Sequence, residues 1–305
     1  MAANRRIFRR MKILRAEHLG MCFGVRDAIA LVLAEADNSP LTVLGELVHN
    51  EAVLASLREK GIRIETQLAT VRTPRVMITA HGASERTRER VRERGLDVVE
   101  ATCPLVHFAH RMVAKLVSEG YHPVIIGQRD HVEVRGIIED LKEYDVVLSD
   151  GDVDALQERP RFGIAAQTTQ PIDRVRQLEA RIQQRFPTSG VRFIDTVCQP
   201  TKQRQIAAVE LARQCDVVIV IGGANSNNTR ELVATCGRHC ARVHHVQSAA
   251  DLRREWFFSP ETVGITAGTS TPDAIIEAVE RRLRQFASDS SKTPADKEEE
   301  TCTRG

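Results

Sequence analysis

Glu100-Ala-Thr-Cys-Pro-Leu-Val-His-Phe-Ala-His110 follows the β-branched run Leu96-Asp-Val-Val-Glu100 and sets a cysteine directly before a proline. Beyond it, Val106, Ala109, Val113 and Leu116 recur at helical spacing. Pro104 suits the first helical turn, where its missing amide proton costs nothing. Cys103 therefore stands where a strand passes into a helix, at or beside the N-cap.

Two other segments repeat this arrangement: Lys12-Ile-Leu-Arg-Ala-Glu-His-Leu-Gly-Met-Cys22 and Val191-Arg-Phe-Ile-Asp-Thr-Val-Cys198. Each is followed by a helical pattern, Val25, Ile29, Val32 and Leu33 in one case and Ile206, Val209 and Leu211 in the other. Further strands follow in parallel sets, at 41–48, 122–127 and 216–222, then 61–64, 145–148 and 241–246, then 75–80, 161–166 and 262–267. Near-continuous apolar strands alternating with helices indicate parallel sheets covered on both faces. The expected fold is α/β: three small parallel-sheet domains over 12–95, 96–190 and 191–286, in a pseudo-threefold arrangement. Residues 1–11 read as a disordered extension and 287–305, Cys302 included, as a disordered tail.

Lys and Arg number 43 against 41 Asp and Glu, so a net charge of +2 gives no field suited to a nucleic-acid backbone. There is no apolar run of the roughly 20 residues that a membrane helix needs, and no secretory apolar core, so the chain is expected to be cytoplasmic. The seven cysteines are an odd number without a secretion signal, which argues against a disulfide framework.

In open α/β sheets, ligands bind beyond the carboxyl ends of the strands. Three thiolates brought there by three domains suit a metal centre with one open position. A [4Fe-4S] cluster held this way leaves one iron without a protein ligand, free to act as a Lewis acid. Structural zinc is the rival, but it prefers close C-x-x-C pairs, which the sequence lacks. Cys236 and Cys240 have only a loose metal-like spacing and read as structural, and Cys215 as core.

His49, His81 and His131 each follow a strand and can donate to an anion. Gly222-Gly-Ala-Asn-Ser-Asn-Asn-Thr229 adds hydroxyl and amide donors at a helix start, and Ser270 adds another. Together they suit a compact diphosphate. Glu133, two residues beyond His131, is a candidate general acid.

In one collinear order over roughly residues 11–286, the chain resembles the 4-hydroxy-3-methylbut-2-enyl diphosphate reductase family. The resemblance rests on Gly20-Met-Cys-Phe-Gly-Val25, Val48-His-Asn50, Ala80-His-Gly82, Ala101-Thr-Cys-Pro-Leu-Val106, Gln167-Thr-Thr169, Asp195-Thr-Val-Cys198, Gly264-Ile-Thr-Ala-Gly268 and Ser270-Thr-Pro272. It implies that Cys22, Cys103 and Cys198 hold a [4Fe-4S] cluster whose unique iron binds the substrate hydroxyl. It also implies that His49, His81, His131, Ser226, Asn228 and Ser270 hold the diphosphate, that Asn227 takes the place of a serine in that set, that Glu133 supplies a proton, and that Thr168 orients the hydroxyl and relays. Two electrons and two protons then remove the hydroxyl as water, giving isopentenyl and dimethylallyl diphosphate, with electrons from a one-electron carrier such as ferredoxin or flavodoxin. The chain departs from the family pattern at Val132, at Gln199-Pro-Thr-Lys-Gln-Arg-Gln205 and at Asn227. Two alternatives stand beside this reading. One is an iron-sulfur dehydratase of the quinolinate synthase type, which would want arginines at the strand ends. The other is a non-catalytic anion- or metal-binding relative, which would need neither Glu133 nor Thr168.

Overall fold

The structure is a computed structural model that describes residues 11–257 and 261–289. The expected N-terminal extension up to residue 10 and the tail beyond 289, with Cys302, lie outside the described residues. In chain order the first elements are β1 (Lys12–Arg15), α1 (Phe23–Asn38), β2 (Leu41–Leu44), α2 (Glu51–Glu59), β3 (Arg63–Glu65), β4 (Arg75–Ile78), α3 (Glu85–Glu93) and β5 (Asp97–Glu100). Next come α4 (Pro104–Ser118), β6 (His122–Ile126), α5 (Val132–Ile138), β7 (Asp145–Val147), α6 (Asp150–Asp154), β8 (Arg161–Ala166), α7 (Ile172–Arg185) and β9 (Gly190–Phe193). The last set is α8 (Gln199–Ala212), β10 (Val217–Ile221), α9 (Asn227–Gly237), β11 (Val243–Val246), β12 (Thr262–Ala267) and α10 (Asp273–Asp289).

The strands form three four-stranded parallel sheets, ordered β3-β2-β4-β5, β7-β6-β8-β9 and β11-β10-β12-β1. The three orders are equivalent. In each, the edge strand is the one that leads to a cysteine: β5 beside β4, β9 beside β8, and β1 beside β12. The sequence boundary at 95/96 thus falls just before β5 and that at 190/191 inside β9, each a strand that completes the preceding sheet, and β1 completes the sheet of the chain's last third. The strand before each cysteine lies in one sheet, and the helix after it packs on the next: α4 lies on β6 and β8.

Among the described residues two compact units result, one of residues 22–202 and one of 11–21 with 203–257 and 261–289. The first holds the sheets centred on β2 and β6, and the second holds the sheet centred on β10. Alternation along the central strands explains why they read as unbroken apolar runs. Val217, Ile219 and Ile221 point into one buried layer while Val218 and Val220 point into another. On β6, Val124 and Ile126 face Phe162 and Leu178, whereas Ile125 faces Val113 and Val134.

Glycine fixes how closely a helix approaches each sheet. A Cβ on Gly163 of β8 would stand 2.8 Å from Tyr121 Cβ and 3.0 Å from Leu116 Cβ, and one on Gly264 of β12 would stand 2.8 Å from both Leu211 Cγ and Cys215 Sγ. The two positions are equivalent in their repeats. Gly163→Ala and Gly264→Ala should each destabilise by about 1–3 kcal/mol, the usual range for overpacking a core. Gly237→Ala, where no atom lies within 4 Å, should leave the denaturant midpoint unchanged or slightly raised, and equilibrium unfolding of the three variants checks this.

Candidate active site

Cys22 and Cys103 are the N-caps of α1 and α4. The carbonyl of Cys22 accepts from Arg26, that of Cys103 from Val106 and His107, and that of Cys198 from Thr201 and Lys202. All three thus occupy the same place at the head of a helix. Two of them are tied back by their own amides to the sheet they leave: Cys103 N–H donates to Ala80 O at 3.1 Å and Cys198 N–H to Thr168 O at 2.9 Å. Gly24 lets α1 reach Cys103, since a Cβ there would lie 2.5 Å from its sulfur.

Helix N-termini favour thiolates, and the Leu105 and Val106 amides do act downward on Cys103. Burial outweighs them: the Cys103 thiol is pushed up, and that of Cys198 is pushed up to about 11. Cys22 and Glu133 nearby act upward on both. Thiols held this way stay protonated until a metal draws the proton off. Among the described residues, no group of three or more His, Cys, Asp or Glu could hold a single metal ion. A polynuclear cluster would not require one, since Cys22, Cys103 and Cys198 would each supply a single thiolate to it.

The three histidines converge. The His49 and His81 rings stack with centroids 4.4 Å apart, and the His131 ring stands edge-on to both at 5.2 and 5.7 Å. Glu46 accepts or shares a proton with His49 Nδ1 at 2.9 Å. His131 caps α5: its Nδ1 accepts from the Glu133 amide at 3.2 Å, which leaves the ring proton of the neutral form on Nε2. Burial, with His49 and His131 alongside, holds His81 well below the usual imidazole range, against the pull of the Glu46 backbone. His81 is therefore neutral at physiological pH. A cleft of about 940 Å³ reaches His49 past Ser84, Thr87 and Arg135.

Glu133 is 2% exposed. Its Oε1 accepts from the Thr168 amide at 2.7 Å and its Oε2 from the Thr168 hydroxyl at 2.9 Å. Burial raises its pKa to about 7 although both bonds from Thr168 favour the carboxylate. A single residue, Thr168, thus bonds Glu133 through its amide and hydroxyl and Cys198 through its carbonyl.

The second unit carries its own set of donors. Ser226 caps α9, its hydroxyl accepting from the Thr229 amide at 3.3 Å. Asn228 Oδ1 accepts from the Thr269 amide at 3.0 Å, which turns its NH₂ the other way. Among the described residues, the NH₂ groups of Asn227 and Asn228 are buried without a hydrogen-bond partner, as is the Thr229 hydroxyl. Orphaned buried donors call for an explanation, and a bound anion supplies one. Ser270 is buried on the loop after β12.

Residues 13–284 match the LytB protein family. The chain belongs to the LytB family. A relative from Trichlorobacter lovleyi, named 4-hydroxy-3-methylbut-2-enyl diphosphate reductase, is 38% identical over 277 residues, covering 90% of this chain and 98% of that one. A protein of the same name from Aquifex aeolicus is 36% identical over 281 residues, with 90% and 96% covered. Among solved structures, the chain is similar to (E)-4-hydroxy-3-methyl-but-2-enyl diphosphate reductase, described as the terminal enzyme of the non-mevalonate pathway. That likeness has a TM-score of 0.66 at 35% identity, with 90% of this chain and 99% of the other covered. The Plasmodium falciparum E-1-hydroxy-2-methyl-but-2-enyl-4-diphosphate reductase gives a TM-score of 0.82 at 26% identity, with 94% and 90% covered.

Within this LytB chain, one unit brings together His49, His81, His131, Glu133 and Thr168 and also holds Cys22, Cys103 and Cys198. Ser226, Asn227, Asn228 and Ser270 lie in the other unit. Cys236 and Cys240 are buried, and Cys215 packs beside them in the core under β10. Sequence reasoning missed Glu46, which orients His49, and Thr201, whose hydroxyl lies 3.0 Å from the Cys198 sulfur. An N-cap cysteine with a threonine three residues on is the local signal for the second. Val132, where the chain departs from the family pattern, is the first residue of α5, which His131 caps.

The raised Glu133 carboxyl has a consequence for stability. Its folded-state pKa of about 7 lies above the ordinary 4.5, so the folded protein binds this proton more tightly than the unfolded chain does. The contribution is fully present below pH 4.5 and is lost as the pH rises to 7, a change on the order of 3 kcal/mol. Glu133→Gln should therefore be more stable than the parent at pH 8 and should lose that advantage towards pH 4.5. Thermal melts of the two proteins across this range measure the difference.

Proposed function

We propose that this chain reductively removes the hydroxyl of (E)-4-hydroxy-3-methylbut-2-enyl diphosphate, with two electrons and two protons giving water and isopentenyl or dimethylallyl diphosphate. The observation that carries the reading is the Thr168 junction, which fastens a buried carboxyl of raised pKa to the backbone of a cysteine. Cys22, Cys103 and Cys198 would hold a [4Fe-4S] cluster, which when bound supplies single electrons and a Lewis-acidic iron.

The remaining chemistry belongs to side chains. The imidazoles of His49, His81 and His131 would receive the diphosphate, with His131 donating from Nε2. In the other unit, Ser226, Asn227, Asn228 and Ser270 are the further diphosphate candidates by their hydroxyl and amide donors. Asn227 offers an NH₂ with no partner among the described residues, so it can serve in place of a serine. Glu133, half protonated near pH 7, would deliver a proton at low cost in either direction. Thr168 holds Glu133 by two bonds and can pass the proton through its hydroxyl. Electrons would come from a ferredoxin- or flavodoxin-like carrier. No helix among the described residues is long and apolar enough to cross a membrane.

Two features weigh against the alternatives. The side chains read as the diphosphate shell are imidazoles, hydroxyls and amides, where a dicarboxylate substrate would want guanidinium groups. Burying a carboxyl at the expense of its charge serves proton transfer and would burden a protein that only bound an anion.

The test is turnover of the allylic diphosphate by anaerobically purified, reconstituted protein with reduced methyl viologen. Glu133→Gln should keep substrate affinity and lose about 10²-fold or more in kcat, the ordinary contribution of a general acid. Normal turnover by that variant would remove Glu133 from the reaction, and a fully loaded parent that left the substrate unchanged would end the proposal.

A further inference from the structure

The imidazole cluster is built from two sheets. His49 and His81 follow β2 and β4 of one sheet, while His131 begins α5, which follows β6 of the next. Ring spacings of 4.4 to 5.7 Å therefore depend on how α5 is seated against the segment 81–87. Gly136, in the middle of α5, lies against that segment: a Cβ there would be 3.5 Å from Ala83 Cα. The far end of α5 is fastened more strongly. Asp140 accepts from the backbone amides of both Glu85, at 2.8 Å, and Arg86, at 3.2 Å. Glu139 accepts from the hydroxyls of Ser84 and Thr87, the latter at 3.0 Å, and from Arg90.

The Glu85 and Arg86 amides open α3 and have no acceptor within that helix. Ser84, the N-cap of α3, satisfies only Thr87, at 2.9 Å, so Asp140 takes the two amides that the cap leaves open. A carboxylate there also meets the positive end of the helix dipole. The helix that carries His131 and Glu133 is thereby pinned to the segment that begins with His81, at the end remote from the rings.

We infer that Glu139 and Asp140 form a clasp that positions the imidazole cluster, with Asp140 as a positioning residue for diphosphate binding. The inference rests on reading the three imidazoles as a diphosphate site. Neither residue touches the substrate; both act through α5.

Isothermal titration of the purified full chain with inorganic diphosphate, together with NMR of the histidine rings, tests the clasp. Asp140→Ala should weaken binding roughly 3- to 30-fold, the loss expected when a helix cap of ordinary strength is removed. It should also raise KM while largely keeping kcat, and shift the His49, His81 and His131 ring resonances. Asp140→Asn, which keeps one acceptor oxygen, should recover most of both effects. Thr87→Val removes one bond to Glu139 and should move affinity and resonances in the same direction by less, which covers the case in which Asp140→Ala does not fold. Lowered melting temperature with parental affinity and parental histidine resonances would overturn the inference, since a merely structural residue behaves that way. Failure of the parent to bind diphosphate would overturn the reading of the imidazoles instead, and the ring resonances would still decide the clasp.

Discussion

A cysteine amide bonded back to the sheet it has just left is the contact on which the site depends. Cys103 N–H donates to Ala80 O and Cys198 N–H to Thr168 O, each at the point where the chain crosses from one sheet to the next. The bond fixes the first turn of the helix that follows, and the helix fixes the sulfur. It also fixes the residue that accepts: Ala80 precedes His81, and Thr168 holds Glu133. The cysteine proposed as a metal ligand and the carboxyl proposed as a proton donor are thus held through one residue, Thr168.

Burial sets the electrostatics. The same loss of water that keeps Cys198 protonated raises Glu133 to about 7 and leaves His81 neutral. In a wet site the carboxyl would be ionised and a poor acid at neutral pH. The Thr168 bonds hold the shift in check, since without them desolvation would act alone. Orphaned amide groups on Asn227 and Asn228 show the same economy in the other unit, where buried donors are left open at the head of a helix.

Much of this could be read in the sequence because repetition does not depend on three-dimensional context. Three strand–cysteine–helix junctions pointed to the candidate ligands, and apolar runs bounded by polar residues marked the strand ends. Sheet membership could not be read. β5 and β9 each lie next in sequence to the helix they lead into, yet each pairs with a strand of the preceding sheet, and β1 pairs with β12 some 250 residues away; strand pairing is decided by edges, which a local pattern does not encode. Partners such as Glu46 for His49 or Asp140 for the start of α3 were equally out of reach, since ordinary surface carboxylates have the same local sequence. The thiol pKa values went against the dipole argument because burial, which a sequence does not display, was the larger effect.

The central claim is that Cys22, Cys103 and Cys198 are equivalent ligands of one cluster while Cys215, Cys236 and Cys240 are core. Iron and labile sulfide counted in anaerobically reconstituted protein, with the Mössbauer spectrum, test it most directly. The account predicts about four of each per chain, with iron lost from Cys22→Ser, Cys103→Ser and Cys198→Ser alike and retained in Cys240→Ser. Full iron content in any of the first three variants, or its loss from the fourth alone, would contradict it.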